Sequence, residues 1–340
     1  MRVLVSGYYG FGNLGDEALL AGLLAGLRRQ GHTPVVLSSD PAATARQHGV
    51  EATHRVAGLP LAVLRADAVV SGGGGLLQDG TSRRSLDYYL GVIRLARTLG
   101  RPVVVYGQSL GPLSPEARGA VARALRGVPL ALRDEPSRRL ADKLGLKAQL
   151  VGDPALLLEA PKGDAPDLPA AERPVMLVPR GGQPELNAAL LELARELADA
   201  GVPLAAMAFQ PREDAAEVER LREAVPGVAV WEESDPHAAV GLLARARYVV
   251  SVRLHGCILA AAAGVGFAGL SYDPKVKGFL TQAAAPCFEA PVDLRALSGL
   301  ALSAPAPQAH AVAHVERLSR DGLDWLGAAL RRGRFTRGND

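Results

Sequence analysis

The sequence predicts an α/β protein made of two doubly wound halves, and three observations predict it. Short apolar runs alternate with helix-length segments from the first residues onward. The alternation breaks once, at a proline-rich stretch near the middle, and then resumes. The chain has 340 residues, 48% of them hydrophobic, which is enough for two domains each with its own core.

In the first half, strands are expected at 2–6, 34–38, 67–71, 102–106, 129–132 and around 149–151, with helices at 14–29, 42–48, 86–99, 115–126 and 135–144. Leu19, Leu20, Leu23, Leu24 and Leu27 form one helical stripe that should bury against the sheet. Glu159 to Pro169 carries three prolines among small and charged residues and reads as a linker. In the second half, strands are expected at 175–179, 203–208, 228–231, 247–252 and 266–271, and helices at 185–200, 213–224, 236–245, 256–263 and 308–330. The domain division is therefore 1–160, a linker at 161–173, 174–330, and a basic tail at 331–340, with a cleft expected between the halves.

Composition narrows the function. Aromatic residues make up only 4% of the chain and give no base-stacking surface, so nucleic acid is not an expected partner. The net charge of +3 suits a mildly basic enzyme, and it also suits a partner bearing phosphate or carboxylate, or contact with an anionic membrane surface. Only the tail, Arg331-Arg332-Gly333-Arg334-Phe335-Thr336-Arg337, concentrates positive charge, and such tails are commonly frayed ends. Cys257 and Cys287 lack metal-site spacing, so no metal is expected and a reducing compartment is. A strand opens the sequence and no apolar run reaches about 18 residues, which points to a cytoplasmic protein with nothing spanning a membrane.

Ser251-Val252-Arg253-Leu254-His255-Gly256 lies between an apolar strand and an alanine-rich helix. Strand ends of this kind bind anions in α/β proteins. A lone histidine is more often structural than catalytic, but the neighbouring Arg253 and the strand-end position favour function for His255. Gly10-Phe11-Gly12-Asn13-Leu14-Gly15 fits a dinucleotide fingerprint, with Asp40 closing the next strand. Asp16 and Glu17 follow at once and would repel a pyrophosphate. A tight glycine turn presenting Asn13 and Asp16 to the cleft fits better, as does an acidic helix start and nothing more. Ser71-Gly72-Gly73-Gly74-Gly75 reads as a ligand loop, continued by the polar stretch Gln78 to Ser85. Arg133, at another strand end, either binds an anion or pairs with Asp134 or Glu135. Arg180 and Lys275 end two strands of the second half.

Taken together, these segments resemble the polysaccharide pyruvyl transferases. The resemblance rests on Ser6 to Ala18, Ser71 to Gly74, Gln78-Asp79, Tyr88-Tyr89-Leu90, Tyr106-Gly107-Gln108, Arg133-Asp134-Glu135, Gly152-Asp153-Pro154, Arg253-Leu254-His255 and Ser271 to Lys275, in order across residues 1–280. It is nearest to the bacterial branch that pyruvylates the cell-wall polymer anchoring S-layer proteins. It implies two Rossmann-like domains facing a cleft, as in GT-B glycosyltransferases. It implies phosphoenolpyruvate as co-substrate, with no separate cofactor, and a 4,6-ketal on N-acetylmannosamine in an undecaprenyl-linked precursor, with peripheral membrane contact. His255, Arg253 and Arg133 are the catalytic residues so implied. Arg253, Leu254, Gly256, Arg133 and Lys275 would hold the donor, and Asn13, Asp16, Gly73, Gly74, Gln78 and Asp79 the acceptor. One departure stands out: relatives often carry a large aromatic soon after the arginine at position 180, where this chain has Gly181-Gly182.

Three other readings compete. A nucleotide-sugar glycosyltransferase would place a glutamate after His255, but Gly256 to Ala263 holds no carboxylate. An NAD-dependent enzyme is disfavoured by Asp16-Glu17. A sugar-binding module would not need Arg253 and His255 together.

Overall fold

The computed structural model describes residues 1–161, 169 and 172–335. Most of the expected linker and the last five residues of the tail lie outside the described residues. The chain divides into two compact units. One comprises Met1–Phe11, Leu19–Pro154 and the chain from Glu316 onward, and the other Gly12–Ala18 and Ala155–Val315.

The first unit runs β1 (Arg2–Ser6), α1 (Leu14–Arg29), β2 (Thr33–Ser38), α2 (Pro41–His48), β3 (Glu51–His54), α3 (Leu59–Arg65), β4 (Ala68–Leu77), α4 (Arg83–Thr98), β5 (Val103–Leu110), α5 (Pro115–Leu125), β6 (Leu130–Leu132), α6 (Glu135–Lys143) and β7 (Ala148–Leu150). Its seven strands are all parallel, in the order β3-β2-β1-β4-β5-β6-β7. The second unit runs β8 (Val175–Val178), α7 (Pro184–Asp199), β9 (Leu204–Met207), α8 (Pro211–Ala224), β10 (Ala229–Trp231), α9 (Pro236–Leu243), β11 (Tyr248–Ser251), α10 (Leu254–Ala262), β12 (Phe267–Leu270), α11 (Pro274–Gln282), β13 (Cys287–Phe288) and α12 (Leu294–Ser303). These strands are also all parallel, ordered β10-β9-β8-β11-β12-β13. Both sheets thus start at an inner strand, wind outward, then reverse and wind the other way, which is the doubly wound order. A last helix, α13 (Ala309–Phe335), closes the chain.

Local chemistry explains why the elements begin where they do. Asp40, Ser114, Asp235 and Asp273 each accept a backbone N–H from the first turn of a helix and are each followed by proline. Such caps contribute about 1 kcal/mol each, and proline at the first helical position costs no hydrogen bond. The leucine stripe of α1 buries as expected, with Leu19, Leu20, Leu23, Leu24 and Leu27 all essentially inaccessible.

The structure adds α3, α11, α12 and β13, none of them expected, and departs from expectation elsewhere too. The edge strand β3 carries Glu51-Ala52-Thr53-His54, with no apolar run to announce it. Residues from Glu316 onward cluster with the first unit, not with the half that precedes them in sequence. Arg331 to Phe335 continue α13. Most consequentially, the glycines at 72–75 are no loop: β4 runs straight through them to Leu77.

Packing supplies the reason for the glycines. A Cβ on Gly73 would lie 1.8 Å from Leu19 Cδ2, and one on Gly72 would lie 2.8 Å from Leu23 Cδ2. The two glycines let α1 press directly onto the strand. Gly73 and Gly74 have φ of +50° and +87°, and the pairing of β4 with β5 shifts register just beyond them. Gly73→Ala is expected to cost about 2 kcal/mol from its left-handed backbone and the crowding of Leu19, read as a lowered midpoint in chemical denaturation.

Candidate functional site

In the second unit the strand order reverses between β8 and β11, and it is beyond the C-terminal ends of strands at such a reversal that doubly wound sheets bind ligands. Ser251 is in register with Val178, and Val252 N donates to Val178 O at 2.8 Å. Arg180 and Arg253 therefore stand level, two residues past that pair. Arg253 is the N-cap residue of α10, with no side-chain cap on the first turn. Leu254 and His255 are the helix's first two residues. The helix thus starts two residues earlier than expected, and Gly256 N donates to Arg253 O at 3.0 Å. Gly256 is small for another reason: a Cβ there would meet Ser251 Oγ at 2.2 Å.

Arg253, expected to hold a donor anion, is occupied. Its side chain is 6% exposed. Nε donates to Asp214 Oδ2 at 2.9 Å, and Nη2 donates to Asp214 Oδ1 at 2.6 Å and Glu213 Oε2 at 2.8 Å. Nη1 lies 3.4 Å from Gln210 Oε1. Burial works against the charge, but hydrogen bonds from Arg253 to Asp214 and Glu213 and the charges of those carboxylates outweigh it, so the guanidinium is held above its ordinary value. The carboxylate of Asp214 has no exposed surface and also accepts from Gly181 N at 3.0 Å and Gln210 N at 2.9 Å. Gly181 is glycine because a Cβ would strike Glu213 O at 2.1 Å, which accounts for the missing bulky residue after Arg180.

The segment Gly12–Ala18 belongs to this same unit. Leu14 N donates to Phe209 O at 2.8 Å, and Asn13 Nδ2 donates to Gln210 Oε1 at 3.0 Å. Asn13 Oδ1 accepts from Gly15 N and Asp16 N, at 3.0 and 3.4 Å. Asn13 therefore caps α1 and ties it to the Gln210 loop. Gly15 faces His255: a Cβ would lie 2.3 Å from the imidazole Nδ1. The glycine motif makes room for the histidine.

Two cations are less committed than Arg253. Arg180 stacks 4.7 Å from the centre of the Tyr272 ring, and no carboxylate among the described residues pairs with it. Its backbone is pinned by Asn187, which accepts from Arg180 N at 3.2 Å and donates to Arg180 O at 2.7 Å. Lys275 lies 5.9 Å from the same ring and 3.4 Å from Asp273 Oδ2.

In the first unit Arg133 pairs with neither neighbour. Its Nη1 donates to Asp153 Oδ2 at 2.7 Å and its Nε to Ser109 Oγ at 3.0 Å, all buried. Asp134 instead accepts from Ser109 Oγ at 2.6 Å and Ser137 N at 2.8 Å. Glu135 is pulled down to about 2 by Arg138, with help from Arg139. Asp79 accepts Ser114 Oγ at 2.6 Å and Ser114 N at 3.0 Å, which holds its carboxyl below the usual range. Gln78 folds back onto Thr81. Asp79, Gln78 and Gly73 therefore have structural partners where acceptor contacts were expected. Asp16 lies half-buried in the first turn of α1.

The sequence matches the polysaccharide pyruvyl transferase family over residues 13–274. The chain belongs to that family. Among solved structures it is similar to HepE from Anabaena, solved with UDP and glucose, at 14% identity and TM-score 0.62, covering 96% of this chain and 100% of that one. A Rickettsia africae glycosyltransferase gives 11% and 0.60 over 100% and 99% of the two chains. The UDP-GlcNAc 2-epimerase of Neisseria meningitidis gives 12% and 0.58 over 98% and 100%. These likenesses show a GT-B fold. No curated protein matches the chain.

Sequence reasoning missed Asp214 and Gln210, which sit in an ordinary-looking stretch, Gln210-Pro211-Arg212-Glu213-Asp214. The available signal was a carboxylate at a helix start after a strand, a pattern that helix capping explains equally well. Asp214→Ala should cost about 3–5 kcal/mol, because it strands a buried guanidinium. In a denaturant cycle, Asp214→Leu with Arg253→Met should cost less than the two single changes summed.

Proposed function

We propose that this transferase moves the pyruvyl group of phosphoenolpyruvate onto the 4- and 6-hydroxyls of an N-acetylmannosamine residue. The product is a ketal on an undecaprenyl-linked cell-wall precursor of the kind that anchors S-layer proteins, and phosphate is released. The observation that carries this reading is the placement of His255. It lies in the first turn of α10 where the strand order reverses, packed on Gly15, one strand over from Arg180, which has no carboxylate partner among the described residues.

Phosphoenolpyruvate carries roughly three negative charges near neutral pH. A proton added at C3 makes the methyl group and leaves C2 electrophilic. One sugar hydroxyl forms a bond to C2, the C2–O bond to phosphate breaks, and the second hydroxyl closes the ring. One hydroxyl proton balances the proton added to C3, and the other departs with phosphate.

In this reading His255 transfers the proton, a contribution of about 10²–10⁴-fold. Arg180 and Lys275 meet the carboxylate and phosphate, together with the backbone of α10's first turn around Leu254 and Gly256. Arg253 holds that turn in place through Asp214, with one Nη1 hydrogen left for substrate. Arg133 bonds through Nε and Nη1 among the described residues, and its Nη2 is assigned to an anion in this reading. Asn13 orients the glycine turn beside the histidine, and Asp16 and Gly74 stay on the acceptor's side of the proposal.

The decisive assay is phosphate release from phosphoenolpyruvate that depends on a lipid-linked aminosugar acceptor. Titration with UDP-sugars tests the glycosyltransferase alternative, and tight UDP-sugar binding without phosphate release would replace the proposal. His255→Ala should lower turnover at least about a hundredfold with little change in melting temperature. Wild-type turnover in that variant would remove its proton-transfer role. Gly15→Ala, which crowds the imidazole, should lower turnover about tenfold or more, at a cost of about 1–3 kcal/mol in chemical denaturation.

A further inference from the structure

The modest net charge conceals a division. The first unit's residues hold 25 Lys and Arg against 14 Asp and Glu, a net of +11, and the second unit's hold 13 against 21, a net of −8. Asymmetry on this scale points to an anionic partner for the first unit.

An apolar surface lies on that same unit. Val56, Leu61 and Leu64 are 59%, 52% and 51% exposed, and they fall within nine residues of sequence. They belong to α3 and the turn before it. The inner side of this short helix is already satisfied: Val63 is fully buried, and Leu59 and Ala62 pack on the core. The outward leucines serve no packing purpose within the unit, and clustered exposed apolar side chains mark a docking site.

Arginines rim this surface. Arg55 precedes Val56, Arg65 follows Leu64, and Arg101 Nη2 donates to Leu64 O at 2.6 Å. Among the described residues none of the three forms an ion pair with a carboxylate; Glu51 on the neighbouring edge strand pairs with Arg2 at 2.5 Å and feels the charge of Arg65 at longer range. Arg55 stacks 3.9 Å from the Tyr88 ring and 5.3 Å from that of Phe11, which itself stacks on Tyr8 at 4.1 Å. The apolar patch therefore begins beside an aromatic cluster in the β1–α1 connection.

We propose that α3 and its preceding turn dock the protein on an anionic lipid bilayer surface. Val56, Leu61 and Leu64 enter the interfacial layer, and Arg55, Arg65 and Arg101 meet lipid headgroups. Apolar residues rimmed by arginines outside any carboxylate ion pair match that surface. A second copy of the chain fits less well, because a two-fold contact would set these arginines against each other. No helix among the described residues is long and apolar enough to cross a membrane, so attachment is at the surface. The purpose of docking, access to a lipid-linked acceptor, rests on the function proposed above, but the docking itself does not.

The test is co-sedimentation of the full chain with vesicles of phosphatidylcholine, with and without phosphatidylglycerol. The wild type should bind the anionic vesicles and be released by salt. Leu61→Gln with Leu64→Gln should weaken partitioning roughly tenfold, with an unchanged melt and unchanged turnover on a short water-soluble acceptor. No vesicle binding by the wild type, or equal binding by the variant, overturns the proposal. So does a variant that turns a dimer into a monomer, since the patch would then be a self-contact. Vesicle binding by a chain that transfers no pyruvate would preserve the docking face and refute the function.

Discussion

The Asp214 carboxylate is the constraint on which the second unit's strand-end loops depend. It is fully buried and accepts hydrogen bonds from Arg253, Gly181 and Gln210. These partners sit on three different connections: β8 to α7, β9 to α8, and β11 to α10. A lone buried carboxylate would cost several kcal/mol, so it must stay fully coordinated, and the three loops are held at fixed spacing as a result. Gln210 extends the network to Asn13, and Asn13 fixes the turn in which Gly15 rests against His255. The position of the histidine is thus set by a carboxylate 41 residues earlier in the chain.

The first unit uses the same device with different parts. Arg133 ends a strand and is neutralised by buried Asp153, while Ser109 links it to Asp134. Ser319, on α13, donates to Asp153 O at 2.9 Å and brings the C-terminal helix into this arrangement. In both units the strand-end arginine is rigid because its charge is already met within the protein. Rigidity suits a group that must orient others, and it leaves each of these arginines little more than a spare N–H for a substrate, so most of a substrate's charge falls to cations without such partners. Among the described residues Arg180, stacked on Tyr272, fits this description beside α10.

Much of the fold was legible in the sequence. Among the described residues, eleven of thirteen strands lie where strand segments were expected, and seven of thirteen helices start on an Asp or Ser cap, five of them with proline in the first turn. The two missed strands are informative: β3 is a polar edge and β13 has two residues, so neither needed an apolar run. The glycine run at 72–75 was misread because glycine freedom and glycine smallness look identical in sequence. Here smallness decides at positions 72 and 73, since Leu19 and Leu23 occupy the space a side chain would need. Gln78 and Asp79, expected on the acceptor side, are polar enough for ligand contact, and the structure shows Gln78 bonded to Thr81 and Asp79 to Ser114.

The sequence by itself determined the alternation of strand and helix, the two-part division, the family, and the strand-end location of Arg253 and His255. Each of these is written in residues near one another along the chain. Tertiary structure alone decided which charges are spent inside the protein. Pairing of Arg253 with Asp214, or of Arg133 with Asp153, depends on strands brought together by sheet order, and no local pattern encodes it. The same holds for Gly15 against His255, separated by 240 residues and joined by packing.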